Sequence, residues 1–222
     1  MDDLVEEDID IIMKVIVVGD GRIGKTNLIT RFARNKFSQE YKKTLGVDFL
    51  QTEKFIKEHG QEIQFYIWDT AGQEEYDALT RKYYKGASAC ILAFSTEDQT
   101  SFNNVKRWKE KVDNECGDIA MALVQTKIDL KDTQPFTDEE VEQLSSDLGI
   151  KLFLTCSKDN INVSEVFEYL GNTFLTNKQN KGASQAVESQ DKKKKEENIR
   201  LGVAPAKKQK KGKGGWFKCN VS

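Results

Sequence analysis

The sequence predicts an α/β fold: a six-stranded, mostly parallel sheet with one antiparallel edge strand and five flanking helices. Three observations carry this expectation. Short apolar runs recur along the chain at 14–18, 88–95, 119–126 and 151–155. Segments of helical period separate them, as in a parallel sheet covered on both faces. Two further strand-like runs, 47–57 and 61–69, meet at His59-Gly60, which reads as a hairpin and supplies the antiparallel edge.

KVIVV at 14–18 is β-branched and reads as the first strand. A Gly-rich stretch follows, then a helix in which Leu28, Ile29 and Phe32 share a face. After the hairpin, SACILAFS (88–95) reads as a buried strand, and Phe102, Val105, Trp108 and Val112 mark a helix over 101–114. IAMALVQT (119–126) is the next strand, 137–148 the next helix and KLFLT (151–155) the last strand. Val163, Val166, Phe167, Leu170 and Phe174 define a closing helix over 163–175. Ligands of such sheets bind at the carboxyl ends of the strands, so the loops there are expected to hold the chemistry.

The chain has 222 residues and a net charge of −2, which hides a division. Residues 177–222 hold 13 Lys and Arg against 4 Asp and Glu, giving +9, and the rest carries −11. The expected organisation is an acidic extension (1–12), a folded domain (13–176) and a basic tail (177–222) with too little apolar surface to offset its ordering entropy. A basic tail on an acidic body suggests anionic lipid or nucleic acid as its partner. The acidic start MDDLVEEDID is unlike a secretory signal, and no apolar run approaches the roughly 18 residues of a membrane span. A cytosolic protein is expected. Cys90, Cys116, Cys156 and Cys219 match neither a zinc pattern nor a disulfide framework.

Residues 19–26, GDGRIGKT, fit G-x-x-x-x-G-K-[ST] between a strand and a helix. Gly19 and Gly24 permit tight turns, so that backbone N–H groups from Asp20 through Asn27 converge on phosphate oxygens beside a helix N-terminus. Gly21 leaves space near the γ-phosphate, Arg22 and Ile23 contribute through backbone, Lys25 reaches the β- and γ-phosphates, and Thr26 offers a hydroxyl to Mg²⁺. This loop alone implies a nucleoside triphosphate. WDTAGQ (68–73) follows a later strand. Its Asp69 suits the Mg²⁺ shell, Gly72 has a free N–H for the γ-phosphate, and Gln73 can orient an attacking water.

With these motifs the chain resembles the Rab family of Ras-superfamily small GTPases over residues 13–176, and the family's P-loop fold matches the predicted sheet. The resemblance implies a GTP/GDP switch that hydrolyses GTP with Mg²⁺, slowly unless an activating protein helps. YKKTLGVDF (41–49) resembles the first switch, with Tyr41 beside the nucleotide and Thr44 as a metal ligand alongside Thr26 and Asp69. WDTAGQEEYD (68–77) resembles the second switch. Phe37 stands where the family stacks an aromatic on guanine, or is an ordinary core residue. Phe49, Trp68 and Tyr83 align with the family's effector-facing aromatics, or are plain packing.

TKID (126–129) resembles the guanine-reading loop. Asp129 can accept from the ring N–H and the amine of guanine and so reject adenine. The stem of Lys127 covers the base, and Leu130 follows. Thr126 stands where Asn is usual, at a cost of about one hydrogen bond, roughly 0.5–1.5 kcal/mol. TCSK (155–158) resembles the last nucleotide loop, with Cys156 in place of a bracing Ser, Ser157 offering its backbone N–H, and Lys158 closing the motif.

Within the Rab family, YKKTLGVDFL, WDTAGQEEYDALT, KYYKGASACILAFST, VQTKIDL and EVFEYL resemble the Rab-twenty-three subfamily, implying vesicle traffic and a link to cilia. The end, Cys219-Asn220-Val221-Ser222, fits C-a-a-X, for which a terminal Ser favours farnesyl on Cys219. One lipid anchors marginally, and KKQKKGK (207–213) supplies a second signal toward anionic membranes. The upstream KKKK (192–195) also reads as a solvated linker. The tail lacks the interleaved aromatics of a nucleic-acid module, so no nucleic-acid partner is expected. Expected partners are guanine nucleotide, effectors, exchange factors, activating proteins and the cytosolic face of an endosomal, plasma or ciliary membrane.

Overall fold

The computed structural model describes residues 11–44, 46–70 and 82–180. Those through Lys178 belong to one compact unit. The strands are β1 (Ile11–Val18), β2 (Val47–Ile56), β3 (Gln61–Thr70), β4 (Ala89–Ser95), β5 (Ala120–Thr126) and β6 (Lys151–Leu154). The helices are α1 (Lys25–Arg34), α2 (Gln99–Asn103), α3 (Val105–Cys116), α4 (Asp138–Leu148) and α5 (163–180), with a 3-10 turn at Ile128–Thr133.

The six strands form one sheet in the order β2-β3-β1-β4-β5-β6. Among them, β2 and β3 pair antiparallel and every other pair is parallel. The expected mixed sheet with its hairpin edge is therefore what forms. β1 lies between β3 and β4, so the loop leaving it opens where strand order reverses, the usual ligand crevice of such sheets.

Alternation along the strands builds two cores. Met13, Val15 and Val17 of β1 face Leu28 and Ile29 of α1 and Val166, Phe167 and Leu170 of α5. Ile16 and Val18 face the other way, toward Val105, Trp108 and Val112 of α3 and Val141 and Leu144 of α4. Gly171 lets α5 approach the hairpin, since a Cβ there would lie 2.9 Å from Ile56 Cδ1.

Two expectations change. β1 begins at Ile11, inside the proposed 1–12 extension, because Ile11 and Ile12 pair with Ile63 and Gln64 of β3. The helix expected over 101–114 is two helices that meet at Asn104. Asp98 caps the first through its carboxylate, which accepts from Thr100 N and Ser101 N.

Candidate functional site

The loop after β1 is shaped by what it packs against. Gly19 has φ +139, and a Cβ there would lie 2.2 Å from the Ala93 carbonyl oxygen and 2.6 Å from Ile23 Cδ1. Glycine is thus needed at 19 for close approach to β4 as well as for the turn. Gly24, at φ +95, caps α1 without a side-chain bond, and the first turn carries no acidic residue. The N–H groups of that turn have no capping side chain and favour an anion. Ile23 is buried and anchors the loop in the core.

Lys25 is 6% exposed. Its ammonium donates to the carbonyls of Gly19 at 2.8 Å and Asp20 at 2.6 Å. Burial lowers its pKa to about 8, against the opposing pull of Asp69 and Asp20. Asp20 turns elsewhere. Its two oxygens accept from Asn104 Nδ2 at 2.6 Å and Trp108 Nε1 at 2.7 Å.

The three expected metal ligands converge. Thr26 Oγ1 donates to Asp69 Oδ2 at 2.5 Å, Thr44 Oγ1 donates to the same oxygen at 3.2 Å, and the two hydroxyls lie 3.1 Å apart. Asp69 is buried, which raises its pKa, while the bonds from Thr26 and Thr44 and the charge of Lys25 oppose the shift. Its second oxygen, Oδ1, is buried without a hydrogen-bond partner. An orphaned carboxylate oxygen beside two hydroxyls is an all-oxygen set that suits a hard divalent cation such as Mg²⁺.

A cavity of about 770 Å³ is lined by Gly21 through Asn27, by Phe37, Tyr41 and Thr44, and by Thr126, Lys127, Asp129, Leu130, Ser157 and Lys158. Asn27 holds the loop that follows α1, donating to Ser38 O at 3.0 Å. Phe37 belongs to neither core cluster and lies under the Arg31 guanidinium, 5.9 Å from its ring centre. The guanidinium of Arg22 sits 5.3 Å from the Tyr41 ring.

The TKID loop is tied back to the phosphate loop. Thr126 is 2% exposed, and its hydroxyl lies 2.5 Å from Ile23 O and 3.0 Å from Phe94 O. Lys127, at φ 58, donates to Arg22 O at 2.8 Å and pairs with Glu97 at 2.7 Å. The Asp129 carboxylate faces the TCSK loop, where the Cys156 thiol, with one proton to donate, lies 3.2 Å from both Asp129 Oδ1 and Asp159 Oδ2, and Lys158 Nζ lies 3.9 Å from Asp129. Cys156 is buried, and its thiol is pushed up to about 11, chiefly by that burial, so it stays a donor. Arg31 of α1 secures this loop by donating to Ser157 O at 2.7 Å and Lys158 O at 3.0 Å.

Outside the cavity, Phe49, Trp68 and Tyr83 form a chain with ring centres 5.0 and 5.2 Å apart. Phe49 is 41% exposed, whereas Trp68 also packs against the second core. Gly72, Gln73 and Cys219 lie outside the described residues. Sequence reasoning missed Arg31, Asn104 and the direction of Asp20. Their only signal was polarity, within α1, at a helix junction and in the loop after β1.

The sequence model of the Ras family matches residues 14–176. This chain belongs to the Ras family. Among its relatives it is of the Rab type. The chain is 36% identical to the Ras-related protein RABA2a of Arabidopsis thaliana, covering 73% of this chain and 75% of that protein. It is 36% identical to the GTP-binding protein Rab-3D of Rattus norvegicus, over 76% of each. It is 35% identical to the Ypt/Rab-type GTPase YPT7 of Saccharomyces cerevisiae, over 80% of this chain and 87% of that one. As a Ras-family, Rab-type protein the chain is a GTPase, and its mixed sheet is the small-GTPase fold.

Proposed function

We propose that the chain is a GTP/GDP switch that controls membrane traffic by recruiting effectors in one nucleotide state. The observation that carries this reading is the meeting of Thr26, Thr44 and Asp69 beside Lys25. It joins the phosphate loop, the first switch and the end of β3 at one point on a cavity also lined by Lys127 and Asp129.

In this reading Asp129 selects guanine, with Cys156 and Lys158 orienting its carboxylate. Phe37 and the stem of Lys127 flank the base, and Ser157 and Leu130 close its edge. Thr26, Thr44 and Asp69 would hold Mg²⁺, which when bound would supply positive charge to offset that of the phosphates. The Lys25 ammonium, held by its loop carbonyls, donates to phosphate oxygens and compensates charge as the γ-phosphoryl group leaves. Gln73 orients the attacking water, and Gly72 donates its N–H to the γ-phosphate. Loss of that phosphate removes the contacts that order the loops around Thr44 and Gly72. A group supplied by an activating protein accelerates the step by roughly 10³–10⁵.

The tail supplies the membrane attachment: Cys219 carries a prenyl group, and the lysines of 207–213 add attraction to an anionic cytosolic membrane face. Among Rab types we place the chain with the Rab-twenty-three subfamily on YKKTLGVDFL, WDTAGQEEYDALT, KYYKGASACILAFST, VQTKIDL and EVFEYL, with ciliary traffic as its setting. No helix among the described residues is long and apolar enough to cross a membrane, so attachment through the tail is the route proposed.

Mass analysis of protein purified from cells tests nucleotide and lipid together. Bound GDP or GTP and a farnesyl mass on Cys219 are expected, and folded protein that takes up no guanine nucleotide with magnesium would overturn the reading. Gln73→Leu should retain GTP in a single-turnover assay with activating protein; unchanged hydrolysis removes Gln73 from its role. Cys219→Ser should leave the membrane fraction.

A further inference from the structure

We propose that Asn104 and Trp108 are positioning residues for nucleotide retention, acting through Asp20. The inference rests on the proposed binding of guanine nucleotide. A carboxylate on the second residue of a phosphate loop is an electrostatic liability, since it would repel the triphosphate that the loop cradles. Here it is directed away. Asp20 does not line the cavity, although Gly21 through Asn27 do. Its Oδ2 accepts from Asn104 Nδ2 at 2.6 Å and its Oδ1 from Trp108 Nε1 at 2.7 Å.

The two donors come from a place the fold makes specially. Asn104 is the junction where α2 ends and α3 begins, and its backbone accepts from Trp108 N at 3.0 Å. Amide and indole therefore stand one helical turn apart, on the same face. Trp108 is 4% exposed, so its N–H would be an unpaired buried donor without Asp20. Asp20 also links to the chemistry through its main chain, because its carbonyl oxygen accepts from Lys25 Nζ at 2.6 Å. The side chain of Asp20 thus fixes a peptide that sets where Lys25 sits.

The test uses the full chain loaded with a fluorescent GDP and measures its dissociation in excess unlabelled GDP with magnesium. Trp108→Phe keeps an aromatic ring and removes the N–H, and Asn104→Ala provides a second probe should that variant not fold. Each is expected to raise the dissociation rate about three- to tenfold, the range of a hydrogen bond to a charged group only partly transmitted to the ligand. In an Asp20→Ala background, Trp108→Phe should change the rate by less than about 1.5-fold, because its partner is gone. Val112→Ala, a core truncation on the same helix, controls for general destabilisation and should leave dissociation unchanged. Unaltered rates in both single variants, full additivity with Asp20→Ala, or equal acceleration by Val112→Ala would each overturn the inference. Failure of the parent chain to take up the fluorescent GDP would instead count against nucleotide binding itself.

Discussion

Thr126→Val isolates one atom that joins two nucleotide loops. Valine matches threonine in shape and removes only the hydroxyl. That hydroxyl has one proton, and two buried carbonyls lie within reach, Ile23 O at 2.5 Å and Phe94 O at 3.0 Å. The shorter contact takes the proton, so the variant strands the Ile23 carbonyl away from water. Leaving a buried acceptor unsatisfied costs about 1–3 kcal/mol. For a domain of this size each kcal/mol lowers the thermal midpoint by about 2–4 °C, giving an expected fall of about 2–12 °C. Circular dichroism melts of GDP-loaded protein measure it. Thr126→Ser keeps the proton and should stay near the parent. A Thr126→Val midpoint within about 1 °C of the parent would refute the claim that this hydroxyl fastens the phosphate loop. On the same reasoning, GDP dissociation from Thr126→Val should rise, since Ile23 sits within the proposed phosphate loop.

Three further outcomes are expected of the site. Gly19→Ala should yield no folded, nucleotide-loaded protein, because its methyl would meet the Ala93 carbonyl oxygen at 2.2 Å; gel filtration and bound-nucleotide analysis check this. GTP binding should weaken as pH rises through about 8, the value to which burial lowers Lys25. Triphosphate favours the protonated amine, so affinity is fully present below that pH and falls about tenfold per unit above it, until the higher pKa of the bound state is reached. Equilibrium titrations at pH 7, 8 and 9 would detect this, and a flat profile would contradict it. Arg31→Met should speed GDP release about tenfold, since it removes the donors to Ser157 O and Lys158 O. Arg31→Lys should restore little of this, because one ammonium does not reproduce the planar fork.

The fold was readable because its elements are local patterns. Runs such as IVV and CILAF are apolar on both strand faces, as a sheet covered on both sides requires. At the head of α4, Thr137 and Glu140 form a capping box, which agrees with the start read from helical period. The split at Asn104 was hidden, because Phe102, Val105, Trp108 and Val112 keep helical spacing across it. The start of β1 was hidden too, since Ile11 and Ile12 follow an acidic segment and gain their place only by pairing with β3. In the site, the residues expected to touch a ligand sit in recognisable strings. Residues that hold those strings in place do not, because their partners are remote in sequence. Arg31 meets Ser157 across 126 positions, and Asp20 meets Trp108 across 88. No local pattern encodes either contact.

Trp68 and Asp69 are neighbours on β3, and neighbours on a strand point to opposite sides. One faces the cluster with Thr26 and Thr44, and the other lies between Phe49 and Tyr83. A single peptide unit therefore carries chemistry on one side and an aromatic surface on the other. Any tilt of that unit moves both together, as a seesaw does, with no relay of intermediate side chains. The molecule then contains its own optical gauge, because the emission of an indole seated one bond-plane from the carboxylate should change each time that carboxylate changes partners.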